Sequence, residues 1–312
     1  MDAGGARPGL VLALGGGGAR GLAHVGVLEV LAERGLPVRA VVGTSIGAEI
    51  GAFLAGGMSV ARMREVATAF DWKLTLQLFL PDLAGGGLVS GKRILTWLAE
   101  QLGGQRIEEL PIGFAAVATD LESGEEVVLD RGPLIEAVRA SISVPGTLAP
   151  VRIGERVLVD GGIVNQVPAD VARGRFGGPV LAVAVHAASQ DWVRPIRPSG
   201  TWAERLRQLL AEKWMGGAAH LREGLEAEAA APASGDQVDW SARLVLQRAA
   251  LISQALLVKL RLAASPPDLL VVPDVHDIGL LEFYRAEEAV EAGRAAALAR
   301  LPEIERLLAS GD

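Results

Sequence analysis

Three stretches of this chain carry residue types that could do chemistry together. Val41-Val42-Gly43-Thr44-Ser45-Ile46-Gly47 has the form G-x-S-x-G, in which a strand turns sharply into a helix and leaves the serine hydroxyl at the apex. Gly15-Gly16-Gly17-Gly18-Ala19-Arg20-Gly21 follows an apolar run and can turn several backbone N–H groups toward one anion. Val157-Leu158-Val159 runs into Asp160-Gly161-Gly162, where the glycines let the backbone turn and aim a carboxylate along the rim of a sheet. Acyl transfer by a serine needs a hydroxyl, a base for its proton, and donors for the oxygen that becomes negative. The three stretches supply a candidate for each.

Two of them also have a plainer reading. Gly16, Gly18 and Gly21 spell the G-x-G-x-x-G dinucleotide fingerprint. Against it, the second strand runs into Val42-Gly43-Thr44-Ser45 instead of the acidic residue that would meet a ribose, and the loop lacks the Gly-Lys-Ser/Thr ending of a nucleotide P-loop. Asp-Gly-Gly by itself is commonly a turn. Histidine is the usual base for a serine, and there are four, His24, His186, His220 and His276, none within a motif. His24 falls inside a helix and reads as a packed residue. His276, in a loop after Pro273, is the best imidazole candidate, and Asp160 competes with it.

These residues need elements to position them. Leu10 to Leu14 is a continuous apolar run suited to a buried parallel strand, followed by the glycine loop and then Leu22, Val25, Leu28 and Leu31 at helical spacing. Val38 to Val42 is a second strand and Ile46 to Leu54 a second helix, so the chain opens β-α-β-α, the pattern of a parallel sheet between helices. Ser90 to Leu102 is expected as an amphipathic helix, Phe114 to Thr119 and Val127 to Leu129 as a hairpin, and Pro133 to Ser141 as a short helix. Pro179 to Val185 and Leu269 to Val272 are further strands, and Arg285 to Leu308 is mostly helix. Trp72 to Leu88 reads as an apolar flap, and Thr201 to Leu262 as helices beside the sheet.

Composition narrows the class. Of 312 residues 50% are hydrophobic and 21% charged, which excludes extended disorder. The longest stretch without charge, Phe176 to Gln190, has 15 residues. A membrane-spanning helix needs about 18 or more, so none is expected. The N-terminus does not resemble a signal peptide, and the expected location is cytoplasmic. With no cysteine there is no disulfide, thiolate metal site or cysteine nucleophile. A net charge of -7 without a basic cluster argues against nucleic acid as a partner and against tight attachment to anionic membranes.

In order and spacing, GGGGARG at Gly15 to Gly21, GTSIG at Gly43 to Gly47 and DGG at Asp160 to Gly162 resemble the patatin-like phospholipase family, in its bacterial branch. HVGVLEVL after the glycine loop, ATDLESGEEVVL, ASISVPGTLAPV and VNQVPAD extend the likeness over roughly Leu10 to Val185, and the tail fits more loosely. The resemblance implies a three-layer α/β/α sandwich with a mostly parallel central sheet. It implies one catalytic domain over residues 8–312, with a core of about 10–190 and a helical part of about 200–312.

The family works with a Ser-Asp dyad and no catalytic histidine. The resemblance therefore assigns Ser45 as nucleophile, Asp160 as general base and the loop with Gly16, Gly17 and Gly18 as oxyanion hole. Gly43, Gly47, Gly161 and Gly162 support these positions, and Arg20 is left between bracing the loop and meeting a substrate phosphate. It further implies hydrolysis of fatty-acyl esters of phospholipids or lysophospholipids through an acyl-enzyme, with no metal and no cofactor. An ordinary aspartate, with a pKa of about 3.9, is a feeble base, so a poorly solvated setting is expected for Asp160. Two readings stay beside this one: a non-lipid serine esterase using His276, and a regulatory or binding protein with the same fold. The flap and Trp72, Trp97, Trp202 and Trp214 offer transient membrane contact, against the plainer expectation that most of these tryptophans pack in the core.

Overall fold

A computed structural model describes residues 8–70, 91–185 and 242–309. The expected flap at Trp72–Leu88, most of the Thr201–Leu262 stretch, His186, His220, Trp72, Trp202 and Trp214 lie outside the described residues. Contacts divide the chain into two compact units, residues 1–189 with 251–312, and residues 190–250. Of the second unit only the first turns of one helix are described.

Strand β1 (Leu10–Leu14) is apolar throughout because it lies in mid-sheet with both faces covered, and all five residues are buried. Its side chains alternate between two cores. Leu10, Leu12 and Leu14 enter one, Val11 and Ala13 the other. Helix α1 (Ala23–Glu33) crosses over to β2 (Val38–Thr44), which pairs parallel to β1 with Leu14 opposite Gly43. Then follow α2 (Ile46–Ala55), α3 (Val60–Thr68), α4 (Lys92–Leu102), β3 (Gly113–Asp120), β4 (Glu126–Leu129), α5 (Leu134–Ser141), β5 (Val151–Ile153) and β6 (Arg156–Asp160). The described chain closes with α6 (Ala169–Phe176), β7 (Val180–Val183), α7 (Ala242–Ala264), β8 (Leu269–Val271), α8 (Ala286–Ala299) and α9 (Leu301–Ala309).

The described residues form an eight-stranded sheet of order β5-β6-β3-β2-β1-β7-β8, with β4 also on β3. The pairs β2–β3, β1–β2, β1–β7 and β7–β8 are parallel, and β3–β4, β3–β6 and β5–β6 antiparallel. Residues of α1 to α5, α8 and α9 fill the core on one face, and Ala169 and Ala172 of α6 with Val258 of α7 fill the other. This is the expected three-layer sandwich with a mostly parallel central sheet. Strand β2 runs two residues beyond the expected Val42, which carries the ladder to the residue before Ser45. Helices α3 and α6 and strand β5 were not foreseen in the sequence. Trp97 packs edge-on against Phe53 and Phe70, with ring centroids 6.0 and 5.2 Å away, so this tryptophan belongs to the core.

Helices α1 and α8 cross at two glycines. A Cβ on Gly26 would stand 1.9 Å from the Val290 carbonyl, and one on Gly293 1.9 Å from that of Ala23. No side chain fits between these backbones, and α1 is the helix that follows the glycine loop. Gly26→Val is expected to lower stability by about 1–3 kcal/mol, the usual cost of overpacking, read as a lower urea midpoint.

Candidate active site

The register of β3 explains how two residues far apart in sequence meet. Ala116 and Val117 pair with β2 and also with β4, so those strands lie on opposite edges of β3. Ala118 and Thr119 pair with β4 and also with β6, so β6 lies on the same edge as β2. On that edge Thr44 sits opposite Val117, and Asp160 opposite the next residue, Ala118. The C-terminal ends of β2 and β6 therefore approach head to head. Ser45, one residue beyond Thr44, is brought against Asp160.

Ser45 is the one non-glycine residue with positive φ among the described residues, at φ 56 and ψ -127. Such a conformation stores on the order of 1–3 kcal/mol. Several contacts hold this stretch. Its N–H donates to Ser141 Oγ at 2.9 Å. Ala48 N donates to its carbonyl at 2.8 Å. Thr44 Oγ1, just before it, donates to the Asn165 carbonyl at 2.8 Å. Gly47 lies so close to β1 that a Cβ would stand 2.1 Å from the Leu14 carbonyl. Gly43 packs as tightly on the start of α2, against Gly47 and Ala48. These two motif glycines bring the helix down onto the sheet.

Asp160 is 6% exposed. Its Oδ1 accepts the Gly162 N–H at 2.7 Å. Its Oδ2 is buried with no hydrogen-bond partner among the described residues. Burial pushes its pKa up to about 6, opposed by the neighbouring Ser45 side chain and by the Gly162 N–H. The poorly solvated setting expected of this carboxyl is thus present. Its own backbone is tied down on both sides: its N–H donates to Ser143 O at 3.0 Å, and its carbonyl accepts from Thr119 Oγ1 at 2.9 Å. Gly161 turns beneath the Val117 carbonyl.

The glycine loop leaves β1 at the point where the strand order reverses, with β2 on one side and β7 on the other, the usual position of a site in an open α/β sheet. Gly16 lies against Ser45: a Cβ there would stand 3.1 Å from that of the serine. Its N–H, however, is committed to the Gln166 carbonyl at 3.0 Å. The carbonyl of the same peptide, on Gly15, is met by His24 Nε2 at 2.7 Å. Burial lowers the His24 pKa to about 4, so the ring is neutral and its Nε2–H donates. Gly17 and Gly18 N–H have no partner among the described residues, and they open the short helix Gly18–Leu22. Of the three expected donors, these two are available.

Arg20 donates from Nε to Ile278 O at 2.6 Å and from Nη2 to His276 O at 3.4 Å. With Ala19 N on Leu280 O at 2.9 Å, it fastens the glycine loop to the 276–282 segment. His276 lies at the surface with its ring between Asp274 and Asp277, and forms no hydrogen bond with Ser45. Ser141 and Gln166 have no foreseen role here, whereas His24, expected as a packed helix residue, is buried in α1 and also bonds the Gly15 carbonyl. For Ser141, the sole sequence signal is its place in ASISVPG. No cluster of His, Asp and Glu among the described residues could hold a metal ion.

The chain is 31% identical over 97% of its length to an uncharacterized NTE family protein of Mycobacterium bovis, 94% of which is covered. It is 36% identical to rat patatin-like phospholipase domain-containing protein 7, over 58% of this chain and 14% of that one. The crystal structure of VipD from Legionella pneumophila aligns over 98% of this chain and 67% of that one, at 16% identity and a TM-score of 0.46. The model of the patatin-like phospholipase family matches residues 12–173, which contain the glycine loop, Ser45 and Asp160, and the chain belongs to that family.

Proposed function

We propose that the protein is a serine acyl hydrolase that cleaves fatty-acyl esters of phospholipids or lysophospholipids, with Ser45 as nucleophile and Asp160 as its base. One observation carries the reading: a serine held at positive φ is brought by the strand register against a buried carboxyl with an unpartnered oxygen, while His24 and His276 are engaged elsewhere. Family membership supports a lipid ester as the substrate class.

In this mechanism Asp160 takes the Ser45 proton as Oγ attacks the ester carbonyl carbon. The carbonyl oxygen becomes an oxyanion held by Gly17 and Gly18 N–H and the positive end of the following helix. Collapse breaks the ester C–O bond, and the leaving alkoxide takes the proton from Asp160. Water then gives a proton to Asp160 and attacks the acyl-enzyme, and Ser45 leaves as its hydroxyl is restored. A carboxyl of pKa about 6 is ionised at neutral pH and is a far better proton acceptor than an ordinary aspartate.

Ser45→Ala is expected to abolish both labelling by a fluorophosphonate and release of fatty acid from a phospholipid and lysophospholipid panel followed by mass spectrometry. Asp160→Asn is expected to lower kcat by at least about 100-fold, the low end for loss of a general base, and full activity in it removes the dyad. The acid limb of kcat/KM is expected near pH 6, because the free enzyme must carry an ionised Asp160.

Stability should move the opposite way. A carboxyl whose pKa is higher folded than unfolded binds more protons in the native state, so stability falls as pH rises from about 4 to about 6, and the full penalty stands above that window. Asp160→Asn is therefore expected to melt higher than the parent at pH 8, by at most roughly 3 kcal/mol in stability, with the gain gone below about pH 4.

A further inference from the structure

Ser141 is fully buried and sits at the last position of α5, far in sequence from the site. Its hydroxyl has two partners: it donates to the Val117 carbonyl at 2.6 Å and accepts the Ser45 N–H at 2.9 Å. A hydroxyl carries one proton, so the donation to Val117 leaves only lone pairs for Ser45, and the direction of both bonds is settled. The backbone that receives the proton is the one that sets the register. Val117 pairs with Thr44, and Gly161, next to Asp160, packs so closely on the Val117 carbonyl that a Cβ there would stand 2.3 Å from it.

We propose that Ser141 is the positioning residue of the nucleophile: its hydroxyl ties the positive-φ backbone of Ser45 to the same Val117 carbonyl on which the Asp160 turn rests, and so fixes the approach of hydroxyl and carboxyl. The inference rests on Ser45 and Asp160 being the dyad. Ser141 touches neither substrate nor the reacting atoms. A positive φ at a serine with no such tie relaxes toward the ordinary regions, carrying Oγ away from Asp160 and from Gly17 and Gly18. A displacement of about 1 Å at a reacting atom can cost on the order of 100-fold in rate.

The test is a set of variants assayed on a soluble short-chain ester. Ser141→Ala is expected to lower kcat by about 10- to 100-fold with KM within about twofold, since ground-state binding does not use the Ser45 backbone. Its acid limb should move to higher pH, because the Ser45 side chain holds the Asp160 pKa down and would be withdrawn. Ser141→Thr, which keeps the hydroxyl, is expected to recover most of kcat. Ser141→Cys, close in volume but a weak donor and acceptor, should behave as the alanine variant does and replaces it if that variant does not fold. Parental kcat and pH profile in the alanine or cysteine variant overturns the proposal. So does a loss of kcat with an unmoved acid limb and no recovery in the threonine variant, which is what lost packing alone produces. Ser45→Ala run alongside separates the two readings: activity in it refutes the dyad, whereas its inactivity together with an unaffected Ser141→Ala refutes only the positioning role.

Discussion

The site depends on one feature of strand β3, the handover of its edge from β2 to β6 between Val117 and Ala118. Up to Val117 the neighbour is a parallel strand ending at the serine, and from Ala118 it is an antiparallel strand ending at the aspartate. A ladder of backbone hydrogen bonds sets both ends, so the distance between hydroxyl and carboxyl is fixed by main-chain geometry and not by long side chains. The Val117 carbonyl then serves both halves, as acceptor for Ser141 and as the floor under Gly161. A shift of one residue between β6 and β3 would turn Asp160 to the other face of the sheet.

Much of this frame was legible in the sequence, and the reason is local. β1 and β2 show as apolar runs because both of their faces are buried, and the serine and aspartate stand out because the glycines around them are needed for tight turns. The head-to-head meeting of β2 and β6 was not legible: nothing near Val157 to Val159 says that the strand runs antiparallel on an edge of β3 already used by β2. Ser141, Gln166 and the bond that the packed His24 makes to the loop were hidden for a related reason. Each acts through a bond to a backbone atom, and a backbone partner leaves no trace in the identity of the residue it belongs to. The glycine loop shows the limit of motif reading most plainly. Its pattern nominates Gly16, Gly17 and Gly18 alike, yet the first of these N–H groups is spent on Gln166 and its peptide is clamped from the other side by His24.

The choice of groups around Asp160 follows from what its base role would require. Burial alone raises the pKa of this carboxyl, and the two influences that lower it come from neutral groups, the neighbouring Ser45 side chain and the Gly162 N–H. A cation nearby would favour the ionised form and return the group toward an ordinary, feeble aspartate. The nearby polar residues fit that requirement. The clamp on Gly15 is an imidazole whose burial keeps it neutral, and Arg20, the cation of the glycine motif, donates to the Ile278 and His276 carbonyls beyond the loop.

Strain at Ser45 and desolvation of Asp160 are both unfavourable, and neither persists unless the surroundings leave no alternative. Here the surroundings are stiff. The serine follows a strand whose residues from Ala40 to Thr44 are buried, and the helix beyond it is held within contact of β1 by Gly47. The aspartate ends a strand paired on β3 and is pinned at its N–H, its carbonyl and one carboxyl oxygen. Among the described residues, only the second oxygen has no hydrogen-bond partner. An open lone pair in a buried place can be kept only where every other polar group of the residue is satisfied, and the proton-accepting role proposed for Asp160 would use the one left open.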